Sequence, residues 1–209
     1  MPYIRDIRPT KSELISLKNR LRIAKRAYNI LEMKREGLII EITRRTPEVK
    51  KEYDLLLITY RRVMHLLAPA YMIEGMLNLT IAAYSVESRT GIEITQSNLF
   101  GVRVPVISGT NVRTDLTERG YGLLGTSVII DDLADAYEQL VEAIISYSGS
   151  LVILNRLLIE LNRITRRVKA LENNVIPSIS DAIAFITSAR EELEREEQSR
   201  LFHIKKKRN

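Results

Sequence analysis

Residues 130–196 read IDDLADAYEQLVEAIISYSGSLVILNRLLIELNRITRRVKALENNVIPSISDAIAFITSAREELERE. Stepping through them alternately by three and four visits twenty positions, and all but Thr165, Glu172 and Glu196 are apolar. A stripe this narrow over so many heptads predicts a coiled-coil seam, because a helix inside a compact globule needs a wider apolar face. Thr126 and Ser127 are candidate N-caps, and Asp131 and Asp132 suit the positive end of the helix dipole. Helix 2 is therefore expected over about residues 126–202. At 1.5 Å rise per residue, some seventy residues make roughly 100 Å of helix, which needs a partner to bury its seam.

The partner lies upstream. Leu14, Leu17, Leu21, Ala24, Tyr28, Leu31, Arg35, Leu38 and Ile42 follow the same spacing, with Arg35 the one charged break. The steps resume at Val49, Leu56, Thr59, Val63, Leu66, Ala70, Ile73 and Leu77, so helix 1 is expected over about 11–86. Pro47, within Thr46-Pro47-Glu48, lacks a backbone donor and crowds the preceding turn, which predicts a kink or a brief stop, the kink being favoured; Pro69 poses the same problem later. Full antiparallel overlap pairs positions whose numbers sum to roughly 203 to 210 and sets Arg35 within about a heptad layer of Glu172. The two either neutralise each other or snorkel separately to water. The connector, about 87–125, differs in kind. Ile92-Glu93-Ile94 alternates, Ser97-Asn98-Leu99-Phe100-Gly101 supplies turn residues, and Val102, Val104 and Val106 alternate with Arg103 and Pro105. This predicts a small β-hairpin with Pro105 on an edge strand. The expected fold is mainly α: two long helices in an antiparallel coiled coil, a β-hairpin and short helical pieces in the connector, and a basic tail at 203–209, all in one elongated domain.

Composition narrows the function. There is no cysteine, which excludes a disulfide framework, thiolate metal ligands and a Cys nucleophile. His65 and His203 are far apart, with no metal-ligand spacing around them. Glu191, Glu192, Glu194, Glu196 and Glu197 read as a solvated helix face and not as an acid/base pair. Gly120-Tyr121-Gly122-Leu123-Leu124-Gly125 matches G-x-G-x-x-G, but without a βαβ unit it reads as a turn into helix 2. No catalytic, cofactor or metal site is expected. Residues 1–8 carry charges and no signal-peptide core, and no uncharged run approaches the ~20 residues of a membrane span, so a soluble chain without direct membrane insertion is expected.

Charge is uneven. Residues 1–62 hold 16 Lys/Arg against 8 Asp/Glu, residues 63–199 hold 11 against 18, and the last ten residues add five cations. Arg163, Arg166 and Arg167 cluster near one turn of helix 2, either for solubility or to dock acidic loops of a partner. Phosphate would also reward basic ends, but aromatic interleaving is sparse, so nucleic acid is not the expected partner.

The residues resemble the D subunits of archaeal-type and vacuolar-type rotary ATPases, the coiled-coil shaft of the central stalk. The likeness rests on Pro9-Thr10-Lys11-Ser12-Glu13-Leu14 with Leu17-Lys18-Asn19-Arg20-Leu21, on the turn Gly120 to Ser127, and on Thr165-Arg166-Arg167-Val168-Lys169-Ala170-Leu171-Glu172 through Val175-Ile176-Pro177. Glu194-Arg195-Glu196-Glu197 through Phe202 to Ile204-Lys205 is similar too, whereas Lys169 stands where asparagine is usual and Ala27 replaces a common glycine. The resemblance implies a non-catalytic rotor component that transmits torque between a hexamer of catalytic A and nucleotide-binding B subunits and the membrane ion-translocating rotor. It would work on the cytoplasmic side of the cell membrane as a peripheral part of the complex. Its implied partners are the A and B subunits, the F subunit, and the central-stalk socket of C/d type. Hexamer contacts are then expected at Lys11, Lys18, Arg22, Lys25, Arg163, Arg166, Arg167, Arg200 and Lys205, and F-subunit contacts at Tyr60, Val63, Leu67, Tyr137 and Val141. Rival readings are a prefoldin-like holdase, which should bare apolar helix tips where this chain is charged, and a basic coiled-coil scaffold on nucleic acid or membrane.

Overall fold

The computed structural model describes residues 9–86, 90–114, 119–121 and 127–208. Helix α1 spans Lys11–Ser85, strands β1 and β2 span Gly91–Leu99 and Val102–Thr110, and helix α2 spans Val128–Ala170. A π-helical segment, Leu171–Val175, joins α2 to helix α3, Ile176–Arg208. The expected basic tail is therefore helical through Arg208, because the apolar Leu201, Phe202 and Ile204 are set among good helix formers with no Gly or Pro to stop it. Thr126 and the Gly122–Gly125 part of the glycine motif lie outside the described residues. So does the stretch ending at Arg8. No helical piece occurs among the described connector residues.

The chain divides into two compact units, one of residues 1–37 with 161–209 and one of residues 38–160. In the first, Thr10 caps α1: the Glu13 N–H donates to Thr10 Oγ1 at 3.3 Å and the Leu14 N–H to the Thr10 carbonyl at 3.1 Å. Leu14 and Leu17 pack on Ala182 and Ile186 of α3. Arg35 pairs with Glu32 on its own helix at 3.4 Å, and not with Glu172, because the i,i+3 partner is reached without crossing to the other helix. Burial, then the charges of Glu172 and Glu32, push the Tyr28 hydroxyl above its usual pKa, so Glu172 faces Tyr28.

In the second unit Val63 and Ala70 of α1 pack on Leu133, Ala136 and Leu140 of α2. Arg62 donates to Gln139 at 3.2 Å, Ser146 donates to Glu52 at 3.4 Å, and the Tyr53 and Tyr147 rings lie 5.5 Å apart. These pairs sum to between 198 and 201, so the helices run antiparallel with a register a few residues short of the expected one. On α2 the stripe keeps the expected phase at Ile130, Leu133, Leu140 and Val168, all buried, and shifts by one residue at Ala136, Leu157 and Ile164, which are buried in place of Tyr137, Leu158 and Thr165. Adjacent apolar pairs such as Leu157-Leu158 satisfy both phases, and packing against α1 decides between them.

Pro47 does not interrupt α1, whose one residue outside helical φ/ψ is Gly75. The missing bond at Pro47 leaves the Thr43 carbonyl on an exposed face, open to solvent, and Thr46 Oγ1 donates to the neighbouring Ile42 carbonyl at 2.7 Å. Pro177 is met differently. In the π segment the Ile176 N–H bonds back to the Leu171 carbonyl, and the widened turn relieves the contact that the Pro177 ring would make with the carbonyl four residues earlier.

The hairpin is a two-stranded antiparallel sheet with Leu99 opposite Val102, so its turn is Phe100-Gly101 alone and Ser97 and Asn98 belong to β1. Both turn residues have positive φ, 51° and 73°, as a type I′ turn requires. Counting outward from the hydrogen-bonded Leu99–Val102 pair, Gln96–Pro105 is a non-bonded pair, so Pro105 costs the ladder nothing. β2 lies on α2 at Gly149, where a Cβ would sit in ordinary contact, 3.6 Å, with the Ile107 carbonyl oxygen.

Candidate interaction surfaces

The first unit, its end residues included, holds 21 Lys/Arg against 11 Asp/Glu, and the second holds 11 against 15. The basic ends seen in the sequence thus fall together in one unit. Lys11, Lys18, Arg22, Lys25, Arg163, Arg166, Arg167, Arg200 and Lys205 all belong to it and all are exposed. Arg166 and Arg167 sit on the outer face of α2 because Ile164 and Val168, which bracket them, are about 1% exposed. Beside the cations lie bare apolar side chains: Leu201, Phe202 and Ile204 on α3, and Ile15, Ile23 and Ile30 on α1.

The second unit carries a larger apolar surface. Met72, Ile73, Met76, Leu77, Ile81 and Tyr84 of α1 are 59–88% exposed, and Val128 at the start of α2 is 73% exposed. Tyr60 and Tyr137 are exposed and Val141 half-buried. Val63, by contrast, is fully buried against α2, because the antiparallel packing claims it for the core. Leu67, with Tyr71, Leu79, Ala82, Leu133 and Tyr137, lines a cavity of about 430 Å³. Although no uncharged run reaches span length, Lys11–Ser85 and Val128–Lys207 each contain an 18-residue window apolar enough to cross a membrane by length and composition. Among the described residues no three His, Asp or Glu side chains group as a metal site.

One residue central to this unit was not singled out from the sequence. Arg119, 3% exposed, begins the described stretch 119–121 of the connector return and inserts its guanidinium among Asp131, Asp135 and Glu138 of α2, with Glu138 at 3.4 Å and Asp131 at 3.7 Å. Tyr121 donates its hydroxyl to Asp131 at 2.7 Å. Burial works against the charged Arg119, but hydrogen bonds to Asp135 and Tyr121 and the charge of Glu138 outweigh it and hold the guanidinium above its usual pKa. Burial, then the hydrogen bond to Asp131, pushes the Tyr121 hydroxyl up as well. The signal was present: Asp131, Asp135 and Glu138 at i, i+4 and i+7 share one helix face and call for a cation. Next to it, Gly120 has φ 78° and lies so close to Ser85 that a Cβ would clash with its carbonyl oxygen. What is described of the glycine motif is therefore a clasp between the end of α1 and the start of α2, and not a phosphate cradle.

Comparison with known proteins bears on what these surfaces serve. The family of ATP synthase D subunits matches residues 13–206. The A-type ATP synthase D subunit of Methanoregula boonei is 43% identical over 202 residues, covering 97% of each chain. Those of Methanosarcina mazei and Archaeoglobus fulgidus are 38% and 36% identical over 200 and 203 residues, covering 96% and 97% of each chain. With end-to-end likeness at this level, the chain belongs to the family of ATP synthase D subunits.

Proposed function

We propose that the chain turns as the shaft of an A-type rotary ATP synthase, with its basic unit held inside the A/B hexamer and its hairpin-bearing unit joined to the F subunit and to the socket of the membrane rotor. As a member of the D-subunit family it is a non-catalytic central-stalk component of a membrane-associated complex. The observation that carries the finer reading is the division of charge and apolar surface between the two units. The basic unit presents nine candidate cations, which would be attracted to acidic loops at several rotational angles without one deep minimum. The other unit leaves Met- and Tyr-rich helix faces bare, and such faces suit docking of partner helices. Tyr60, Leu67, Tyr137 and Val141 are the residues assigned to the F-subunit contact, with Val63 supporting them from beneath. Partner subunits, and not lipid, cover the apolar windows, and the complex works at the cytoplasmic side.

Reconstitution with A, B and F subunits tests this directly. The expected result is a stoichiometric complex with stimulated ATP turnover; a chain that stays monomeric beside an assembled, fully active hexamer would sink the reading.

A further inference from the structure

Gly75 has φ 77° and ψ 163°, inside a helix whose other residues keep helical φ/ψ. That region of backbone space is open essentially to glycine alone. A Cβ at this position would meet nothing within 4 Å. Conformation and not crowding is therefore what would reject a side chain. Nothing is packed around the break to impose it either, since Met72, Ile73, Met76 and Leu77 are 88%, 62%, 74% and 74% exposed.

The break changes which side of the following arm, Met76–Ser85, meets α2. Upstream, Val63 and Ala70 are buried, and an unbroken helix would carry that face on through Leu77, Ile81 and Tyr84. These three are instead 74%, 59% and 87% exposed, while Leu79 packs on the Val63, Ala70, Leu133, Ala136 and Leu140 cluster and Ala82 is buried. The arm thus bears two apolar stripes in different helical phases, although a helix with one buried side needs only one. The cavity of about 430 Å³ lies where the sides of the joint meet, lined by Leu67 and Tyr71 before it and Leu79 and Ala82 after it.

We propose that the end of α1 is a two-position arm jointed at Gly75. In one position, described above, the helix is broken and Leu79 and Ala82 face α2. In the other, Gly75 takes helical φ/ψ, α1 runs through unbroken, and Leu77, Ile81 and Tyr84 turn onto α2 in place of Leu79, remaking the cavity. The Arg119 clasp and the Ser85–Gly120 contact hold the far end of the arm in the first position.

The chain has no cysteine, so spin labels on Arg61→Cys and Thr80→Cys, both exposed, report the joint in the full-length chain alone, independently of assembly with other subunits. Nineteen residues of unbroken helix place the labelled backbones roughly 28 Å apart. Gly75→Ala, which cannot hold φ 77°, is expected to move the wild-type distance distribution to that value. Leu79→Asp, which penalises the broken position, is expected to do the same, whereas Ile81→Asp, which penalises the unbroken one, leaves the wild-type distance in place. Distributions for Gly75→Ala and Leu79→Asp that superimpose on wild type overturn the proposal, as does an identical response to Leu79→Asp and Ile81→Asp. If Gly75→Ala does not fold, the two aspartate variants decide between the same outcomes.

Discussion

At the scale of single residues, the clearest contrast is between two arginines that reach α2 from the connector. Arg113 meets Glu142 at 2.8 Å with both side chains more than half exposed, so solvent screens the pair. Arg119 is buried among three carboxylates. Replacing it with leucine strands that negative charge, and the expected cost is about 3 kcal/mol, at the low end for a broken buried ion pair because Asp135 remains half exposed to water. Urea unfolding followed by circular dichroism should show a clear drop in midpoint for Arg119→Leu and no change for Arg113→Ala. Glu41 makes a pH-dependent contribution. Hydrogen bonds from Arg44 and then Arg45, at 2.9 and 2.6 Å, hold its pKa below the usual carboxylate value despite burial. A carboxylate with its folded pKa depressed stabilises the fold above the unfolded value of about 4.3, and that stability is lost as pH falls through the folded pKa. Thermal midpoints of wild type and Glu41→Gln should therefore differ at pH 7 and converge only as pH falls below the folded pKa, which lies under the unfolded value of about 4.3. A constant difference across that range would show that Glu41 contributes by packing and not by charge.

Among the elements, the hairpin carries an oddity that makes a prediction. A type I′ turn favours Asn-Gly, yet the first turn position is Phe100 at φ 51° with its ring 55% exposed. Phe100→Asn should stabilise the hairpin by about 1 kcal/mol, since asparagine tolerates left-handed backbone and little ring burial is lost. Slower amide exchange along Gly91–Leu99 and Val102–Thr110 would report it, and faster exchange would mean that the ring packs usefully where it is. The hairpin itself was legible in the sequence from alternating valines bounded by a Gly turn. So were both long helices, from the length of their seams. The α2 seam was legible at Ile130, Leu133, Leu140 and Val168; its one-residue shift at Ala136 and Leu157 was not, because Ala136-Tyr137 and Leu157-Leu158 offer apolar groups to either phase and only the facing helix selects one. Nor was the joint: Pro47 is the stronger breaker by propensity, but it sits on an exposed face where its missing bond is cheap, while Gly75 breaks α1 in a conformation that propensity does not encode. Arg119 escaped notice because its three carboxylate partners lie 12 to 19 residues away, beyond the reach of a local pattern.

For the molecule as a whole, the sequence already showed basic ends and an acidic middle, and folding collects those ends into one basic unit. Charge held on exposed side chains acts at long range and is screened by salt over about 10 Å at 0.1 M, whereas the bare Leu201, Phe202 and Ile204 act only in contact. If the basic unit enters a ring of acidic loops, the cations should set how fast the chain is captured and the apolar side chains how long it stays. Reversing Lys18, Arg22, Arg166 and Arg167 to glutamate should therefore slow association with an A/B hexamer by about tenfold or more at low salt, remove most of its salt dependence, and change dissociation little. Phe202→Ala should do the opposite, raising the dissociation rate with the association rate unchanged. Surface-bound hexamer with flowing chain, measured from 0.05 to roughly 0.5 M salt across the screening range, separates the two rates. An association rate indifferent to both salt and charge reversal would leave the basic unit no steering role and confine these cations to solubility.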